Sequence, residues 1–162
     1  MQAGLQTRIS TNPATEFTEA LAAGGGPGSA SAVVNLRVPN GNKYQNMVRA
    51  ITISSVQALE WELWWFLTAA GAAATDPSES TFAGRWQFDP QAGEQLNGAG
   101  PYEYVITGLE MFFQDLDSNN DTNVVPAMHL VLVNQSAATA KLADAAGMVK
   151  VSVLLESMAE RF

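Results

Sequence analysis

Apolar and polar residues alternate with a period of two along most of this chain, which is the pattern of strands that bury one face. The clearest segment lies near the C-terminus, where the inward positions are Val149, Val151, Val153 and Leu155. Similar short segments lie at 33–38, 47–53, 60–67, 82–88, 102–106 and 129–133, separated by Gly, Pro and Asn residues. The pattern predicts an all-β fold, an antiparallel β-sandwich or jelly roll with an extended N-terminal arm.

Three of the four tryptophans lie in the segment 60–67. A strand there places on its core face Trp61, Leu63, Trp65 and Leu67. Its other face carries Glu60, Glu62, Trp64 and Phe66. A helix with a capping box at 54–57 is the alternative, but a run of large aromatics favours a strand. Because the second face ends in two aromatics, we predict that Trp64 and Phe66 form an interface covered by another subunit or by the arm.

The connections are less regular. Pro39-Asn40-Gly41-Asn42 predicts a hairpin turn, and 68–80 is a loop of small residues. In the 82–88 segment, Phe82, Trp86 and Phe88 share one strand parity, and Gly84 indicates a bulge. Residues 137–146 predict a short helix or turn that ends at Gly147.

The first 31 residues differ in composition from the rest. Residues 24–31 are rich in Gly and Ser, as flexible linkers are. We therefore predict two parts, a flexible arm and Gly-rich linker at 1–31 and a β-sandwich body at 32–162. Residues 15–23 could form a short helix on a neighbouring surface, and a disordered tail is the alternative. Deleting residues 1–30 should then weaken assembly and leave the thermal transition of the body nearly unchanged.

Composition limits the possible functions. With sixteen acidic and eight basic residues and a net charge of −8, the chain lacks the basic patch that phosphate backbones require, so we expect no nucleic-acid partner. There are no cysteines, which excludes disulfides and thiolate sites. We also expect no membrane partner and no cleaved signal, because no long apolar segment is present.

One acidic segment resembles the start of a calcium loop, with alternating oxygens at Asp115, Asp117, Asn119 and Asp121. The pattern is incomplete because Asn120 and Pro126 stand where Gly and Glu are required. We therefore predict no metal site and no tightly bound divalent ion. The carboxylates should be solvent-exposed or should contact basic groups of a partner.

Two other features resemble catalytic groups. His129 is the only histidine, and nothing in its sequence setting indicates a nucleophile, so an ordinary residue of a strand end is the simpler interpretation. Glu60 and Glu62 share a face like an acid and base pair, but a solvated rim around an apolar contact patch explains them more simply. We expect no catalytic residue, no cofactor and no enzymatic activity.

The order of features resembles one class of protein. A loose arm, a cysteine-free β body, a Trp-rich strand and the ending HLVLVNQSAATAKLADAAGMVKVSVLLES are similar to virion structural proteins of tailed bacteriophages, of the capsid decoration (cement) type. The resemblance covers mainly residues 46–156. It implies a homo-oligomer, for example a trimer, that binds the major capsid protein and stabilises the head shell. It also implies a location on the capsid surface of the virion, after assembly in the host cytoplasm.

Two alternatives stay open. A ligand-binding β-sandwich, such as a carbohydrate-binding module, would stack sugars on exposed aromatics, with Trp64, Trp86 and Tyr102 as the candidates. A phage tail component would share the structural class and differ in location and symmetry.

Overall fold

The computed structural model describes residues 6–13, 15–25, 28–38, 46–89, 94–95, 101–118, 125–138, 140–141 and 149–157. Within these residues the chain forms strands and one short helix. The strands of the N-terminal half are β1 (Gln6–Ser10), β2 (Ala20–Leu21), β3 (Val34–Arg37), β4 (Asn46–Ser55) and β5 (Trp61–Phe66), followed by α1 (Ala69–Ala74). The later strands are β6 (Phe82–Phe88), β7 (Glu94–Gln95), β8 (Tyr102–Ile106), β9 (Met111–Phe112), β10 (Ala127–Asn134), β11 (Ala140–Lys141) and β12 (Val149–Ser157).

The first sheet has the order β1-β12-β4-β8-β7, and β9 also pairs with β4. All of its pairs are antiparallel. β12 buries its alternate apolar residues from Val149 to Leu155, as the sequence pattern predicted. A register shift between Leu154 and Leu155 leaves Arg49 of β4 as an extra residue, which is the geometry of a β-bulge.

The second sheet has the order β3-β10-β5-β6 and is also antiparallel. The predicted strand parity of the tryptophan segment is confirmed, because Trp61, Leu63 and Trp65 all face the buried core. The rings of Trp65 and Trp86 stack with centroids 6.2 Å apart and an interplanar angle of 10°. This stacked pair is a packing contact between β5 and β6 on the core side of the sheet.

The main core lies between the two sheets. It contains Ile51 and Ile53 from β4, Val151 and Val153 from β12, and the core-facing residues of β5 and β10. The chain is therefore an all-β protein of two packed antiparallel sheets, which confirms the predicted sandwich class.

The bulge predicted at Gly84 is present, and it changes the predicted parity of β6. Trp65 pairs with Gly84 while Phe66 pairs with Phe82, so one residue of β6 has no counterpart on β5. Trp86 therefore faces the main core, but Phe82 lies on the other side of the sheet with Phe66. The prediction that Phe82 shares a face with Trp86 was wrong because the bulge reverses the alternation.

The described parts of residues 1–31 contact the rest of the chain. β1 pairs with β12, and Phe17 and Leu21 are buried in the main core. The helix predicted at 15–23 is wrong for the residues that the structure describes there. Phe17 has a positive φ of 55°, which interrupts a right-handed helix, and Ala20–Leu21 pairs with β11. The division into an arm at 1–31 and a body at 32–162 stays a prediction.

The segment predicted as a loop of small residues contains α1. The Thr68 hydroxyl accepts a hydrogen bond from the Gly71 N–H (3.0 Å) at the start of the helix. Thr75 ends it in the left-handed conformation. Gly71 packs closely, since a Cβ there would lie 1.9 Å from the Thr81 hydroxyl. The sequence pattern did not reveal α1 because one and a half turns of Ala and Gly carry no hydrophobic stripe.

Three sequence predictions concern residues outside those described, wholly or in part. The turn at 39–42 lies outside them, and so do Asn119 and Asp121 of the acidic segment. Of the helix predicted at 137–146, residues 140–141 form β11 instead, and 142–148 lie outside the described residues. Within the described residues, no helix has the length and apolarity needed to cross a membrane.

Candidate functional site

β5, the strand with the predicted interface residues, carries Phe66 on the outer face of the second sheet. Phe66 is 0% exposed and forms a second, smaller core with Ala72 of α1 and with Val131 and Val133 of β10. Its ring contacts that of Phe82 edge to face, with centroids 5.3 Å apart. The cover over Phe66 therefore comes from this same chain, and its burial requires no second subunit.

Trp64 lies at the margin of this smaller core and is half-buried. Its ring contacts Phe82 edge to face at 6.3 Å. A cleft of about 300 Å³ separates it from the Gly-rich segment, with Gly25, Gly28 and Ala30 on the opposite wall. The assignment of Trp64 and Phe66 to a subunit interface stays a prediction. Of the two side chains, only that of Trp64 is partly exposed.

Glu62 lies on the same outer face and is 3% exposed, so the prediction of a solvated rim was wrong for this residue. One carboxylate oxygen accepts a hydrogen bond from Trp64 Nε1 and the other accepts one from Gln87 Nε2, both at 2.8 Å. Arg85 lies 3.8 Å away on β6. These donors, which the sequence could not place, replace the water that the carboxylate loses on burial.

The ionisation of Glu62 reflects opposing effects. Burial by itself raises the pKa of the carboxyl group, but the hydrogen bonds from Gln87 and Trp64 and the charge of Arg85 together outweigh it. The net result is a lowered pKa, so Glu62 is held as a carboxylate. Glu60, in contrast, is exposed just before β5, and the two glutamates occupy unlike environments.

The three aromatics proposed for sugar stacking do not share a surface. Trp86 is buried in the main core against Trp65. Tyr102 lies in the first sheet and packs against that core, whereas Trp64 lies on the outer face of the second sheet. A stacking platform needs exposed rings side by side, and these residues do not provide one.

The acidic segment and His129, which the sequence analysis treated separately, meet at one point. His129 lies on the outer face of β10, where its register partner on β3 is Asn35. The backbone N–H of Leu116 donates to the carbonyl of Leu67 (2.8 Å), which brings the acidic segment against the start of α1. Asp115 and His129 are 14 residues apart and belong to no common local motif, so sequence reasoning missed this cluster.

The polar side-chain atoms of this cluster lie close to one another. His129 Nε2 lies 3.0 Å from Asp115 Oδ1 and 3.5 Å from Asp117 Oδ2. His129 Nδ1 lies 2.7 Å from Asn35 Oδ1. His129 and Asp115 are 4% and 2% exposed, so the expectation of a solvent-exposed carboxylate was wrong for Asp115. Asp117 is exposed at the edge of a cleft of about 380 Å³.

Backbone donors hold both carboxylates in place. Asp115 accepts from the N–H groups of Asp117 and Ala127, each at 3.0 Å, and Asp117 accepts from the N–H of Ala69 at 2.7 Å. Asp117 therefore also contacts the first turn of α1. The cluster joins the acidic segment, the helix and β10, and it presents one nitrogen and two carboxylate oxygens to each other.

The outer face of the first sheet differs from that of the second, because no helix covers it in the described part of the chain. Apart from the charged Lys150 of β12 and Glu103 of β8, the outward residues of its three central strands are uncharged. We call these uncharged residues the open face: Ala50, Thr52 and Ser54 of β4, Val105 of β8, and Ser152 and Leu154 of β12, of which Ser152 is buried. Val105 is 56% exposed. Thr52 pairs with Ser152 on one side and with Val105 on the other, so an uncharged row crosses the centre of the sheet.

Charged residues lie around the open face and not within it. Lys150 and Glu103 flank Ser54 in one row, and Arg8 is paired with Leu154 in another. Sheet faces that stay in water usually carry polar and charged side chains along each strand. An uncharged centre with a charged margin is a feature that this face shares with protein contact surfaces, although serine and alanine are depleted at such surfaces.

Comparisons with known proteins give only weak likenesses. No family model matches the chain, and no curated protein matches it. One solved structure with some similarity is described as "Structure of deformed wing virus, a honeybee pathogen", at 7% identity and a TM-score of 0.28, covering 98% of this chain and 44% of that one. Another, "KBV activated particle at acidic pH", has 8% identity and a TM-score of 0.28, covering 97% of this chain and 69% of that one. This chain thus spans less than half the length of the first, and likenesses this weak carry no argument about function.

Proposed function

We propose that this chain is a non-enzymatic virion structural protein of the capsid decoration type, which binds a phage head shell and stabilises it. The open face is the observation that carries the proposal. Its central row carries no charged side chain, and the small side chains there leave room for another protein surface to approach closely. The tailed-phage assignment comes from the sequence resemblance.

The open face replaces the surface that the sequence suggested. Phe66 is already enclosed by α1 and β10, so it has no exposed area for a capsid subunit. Thr52, in contrast, is half-exposed at the middle of three paired strands. A partner that covers this row removes Val105 from water, and burial of a valine contributes up to about 1.5–3 kcal/mol.

The proposed partner is the major capsid protein. The chain acts as a homo-oligomer on the outside of the shell. Neither nucleic acid nor membrane is a partner. The net charge of −8 agrees with the absence of a nucleic-acid role, because phosphate binding depends on clustered Lys and Arg.

A binding experiment with shells tests this function. Purified chain is mixed with shells that lack it and separated on a density gradient. Wild type should sediment with the shells. Thr52→Lys, which places a charge at the centre of the open face, should weaken binding at least about tenfold, equivalent to about 1.4 kcal/mol.

The matched control is Ser80→Lys, which adds the same charge in an exposed loop on the side of the second sheet. It should bind as wild type does. If Thr52→Lys binds as tightly as Ser80→Lys, the open face is not the contact surface. If wild type itself stays at the top of the gradient, the decoration function is wrong.

A further inference from the structure

We propose that Asp115, Asp117 and His129 bind one divalent transition-metal ion, of the zinc class, at the junction of the acidic segment with α1 and β10. This inference is independent of the capsid function. It departs from the sequence prediction of no tightly bound divalent ion. It also differs from the calcium loop, because its nitrogen ligand, His129 of β10, lies outside the loop pattern. The three side chains each present one ligand atom, and these atoms lie within 4.8 Å of one another.

The distances between the ligand atoms match a shared ion. Zinc binds imidazole nitrogen and carboxylate oxygen at about 2.0–2.2 Å, so two ligands at octahedral or tetrahedral angles lie about 3.0–3.5 Å apart. His129 Nε2 lies 3.0 Å from the Asp115 oxygen and 3.5 Å from the Asp117 oxygen. Two of the three separations are therefore those that a common ion imposes, and the third, between the carboxylate oxygens, is at most 4.8 Å.

The other ring nitrogen of His129 has the partner typical of a metal ligand. Metal-binding histidines generally donate their second N–H to a carbonyl or carboxylate, which fixes the ring and the tautomer. Nδ1 faces the Oδ1 atom of Asn35 at 2.7 Å. Nε2 and Asp115 Oδ1 lie at hydrogen-bond distance, 3.0 Å, so a bound ion would take the place of the shared proton while the Nδ1 proton faces Asn35.

Backbone N–H groups hold the two carboxylates in place, as hydrogen bonds to metal ligands commonly do. Asp115 Oδ1 accepts one backbone N–H, from Asp117, and Asp117 Oδ2 accepts one, from Ala69. Each of these oxygens retains a lone pair for an ion. Ligands that are already fixed lose less conformational entropy when an ion binds, which lowers the cost of binding.

The ligand set and the surroundings favour one class of ion. An imidazole with two carboxylates suits zinc, manganese, iron or nickel, whereas calcium takes about six to eight oxygens. Three protein ligands leave at least one position to water, and the cleft of about 380 Å³ beside Asp117 gives water access. Arg37 also lines this cleft, and its charge opposes part of the attraction of the two carboxylates.

Binding is tested with tag-free, chelator-treated full-length protein. Zinc sulfate is added in a calorimeter, and the thermal midpoint is compared with zinc and with EDTA. We expect one zinc per chain and a higher midpoint with zinc, because a ligand of the native state stabilises it by mass action. His129 is the only histidine, so its two ring-nitrogen NMR signals are unambiguous, and zinc should shift that of Nε2.

Substitutions separate the site from adventitious binding. Asp117→Asn keeps an oxygen to accept the Ala69 N–H and removes the charge, and it should weaken zinc binding at least about tenfold. The matched control, Asp76→Asn, makes the same change at an exposed aspartate outside the cluster and should bind as wild type does. Equal affinities for Asp117→Asn and Asp76→Asn, or an unmoved Nε2 signal, would overturn the proposal and leave His129 and Asp115 as a hydrogen-bonded pair.

Discussion

The substitution Glu62→Gln should destabilise the fold strongly although it changes only one atom of the side chain. In the wild type, Trp64 Nε1 and Gln87 Nε2 each donate to a different carboxylate oxygen at 2.8 Å. An amide keeps one oxygen and places an NH₂ group where the other oxygen was, so the Gln87 amide must turn to accept from it or Trp64 loses its acceptor, and both remaining hydrogen bonds lose their charge. Arg85, 3.8 Å away, loses its charge partner as well.

The magnitude follows from these contacts. A hydrogen bond to a charged group contributes about 1.5–3 kcal/mol, against about 0.5–1.5 kcal/mol for a neutral one. Gln87 is exposed and Trp64 is half-buried, so neither donor is sealed from water, and we expect a loss of about 1.5–3 kcal/mol in the free energy of unfolding. For a chain of this size that lowers the thermal midpoint by about 3–12 °C.

The effect should also depend on pH in one direction. The folded-state pKa of Glu62 is lowered, so its carboxylate stabilises the fold above the ordinary pKa of glutamate, near 4.3, and this stability is lost as the pH falls through the folded-state pKa. Denaturant melts at pH 7 should separate wild type from Glu62→Gln, and the gap should narrow in acid. Glu60→Gln, an identical change at an exposed neighbour, is the control. Equal stability of the two variants at pH 7, or a gap that does not vary with pH, would refute the reasoning.

Three further predictions concern packing. Gly71→Ala should lower the thermal midpoint, because its Cβ would lie 1.9 Å from the Thr81 hydroxyl, and Thr81→Ala in the same chain should recover part of the loss. Phe66→Ala should cost about 3–5 kcal/mol of unfolding free energy in the isolated chain, since this chain alone encloses the ring; a loss below about 1 kcal/mol would contradict that. Deleting residues 1–30 should lower the thermal midpoint of the remainder, contrary to the expectation from sequence, because β1 pairs with β12 and Phe17 is in the core; an unchanged midpoint would show that these contacts contribute nothing.

The sequence predicted what depends on local alternation. The core faces of β5 and β12 follow from the period of two, because a strand with one buried face must alternate. The bulge at Gly84 was also visible as a glycine inside a strand. Its effect on Phe82 was not, because the direction of a side chain after a bulge depends on which residue is left unpaired.

Long-range contacts could not be predicted in the same way. The sequence predicted a solvated rim at Glu62, because it could not show that β6 places Gln87 opposite this residue. The meeting of His129 with Asp115 depends on the path of the chain after β9, for which the sequence carries no periodic signal. The pattern therefore reveals which face of a strand is buried, but not what lies against the other face.

The claim that the open face is the capsid contact is tested most directly by site-specific labelling. The chain has no cysteine, so the Thr52→Cys and Ser80→Cys variants each carry one unique thiol. Thr52 is half-buried and Ser80 is exposed, so each thiol is compared with its own rate of reaction with a maleimide dye in the free protein. In gradient-purified shells we predict that the thiol at position 52 is protected at least about tenfold while the thiol at position 80 reacts as before, and an unchanged rate at position 52 on the shell would contradict the account.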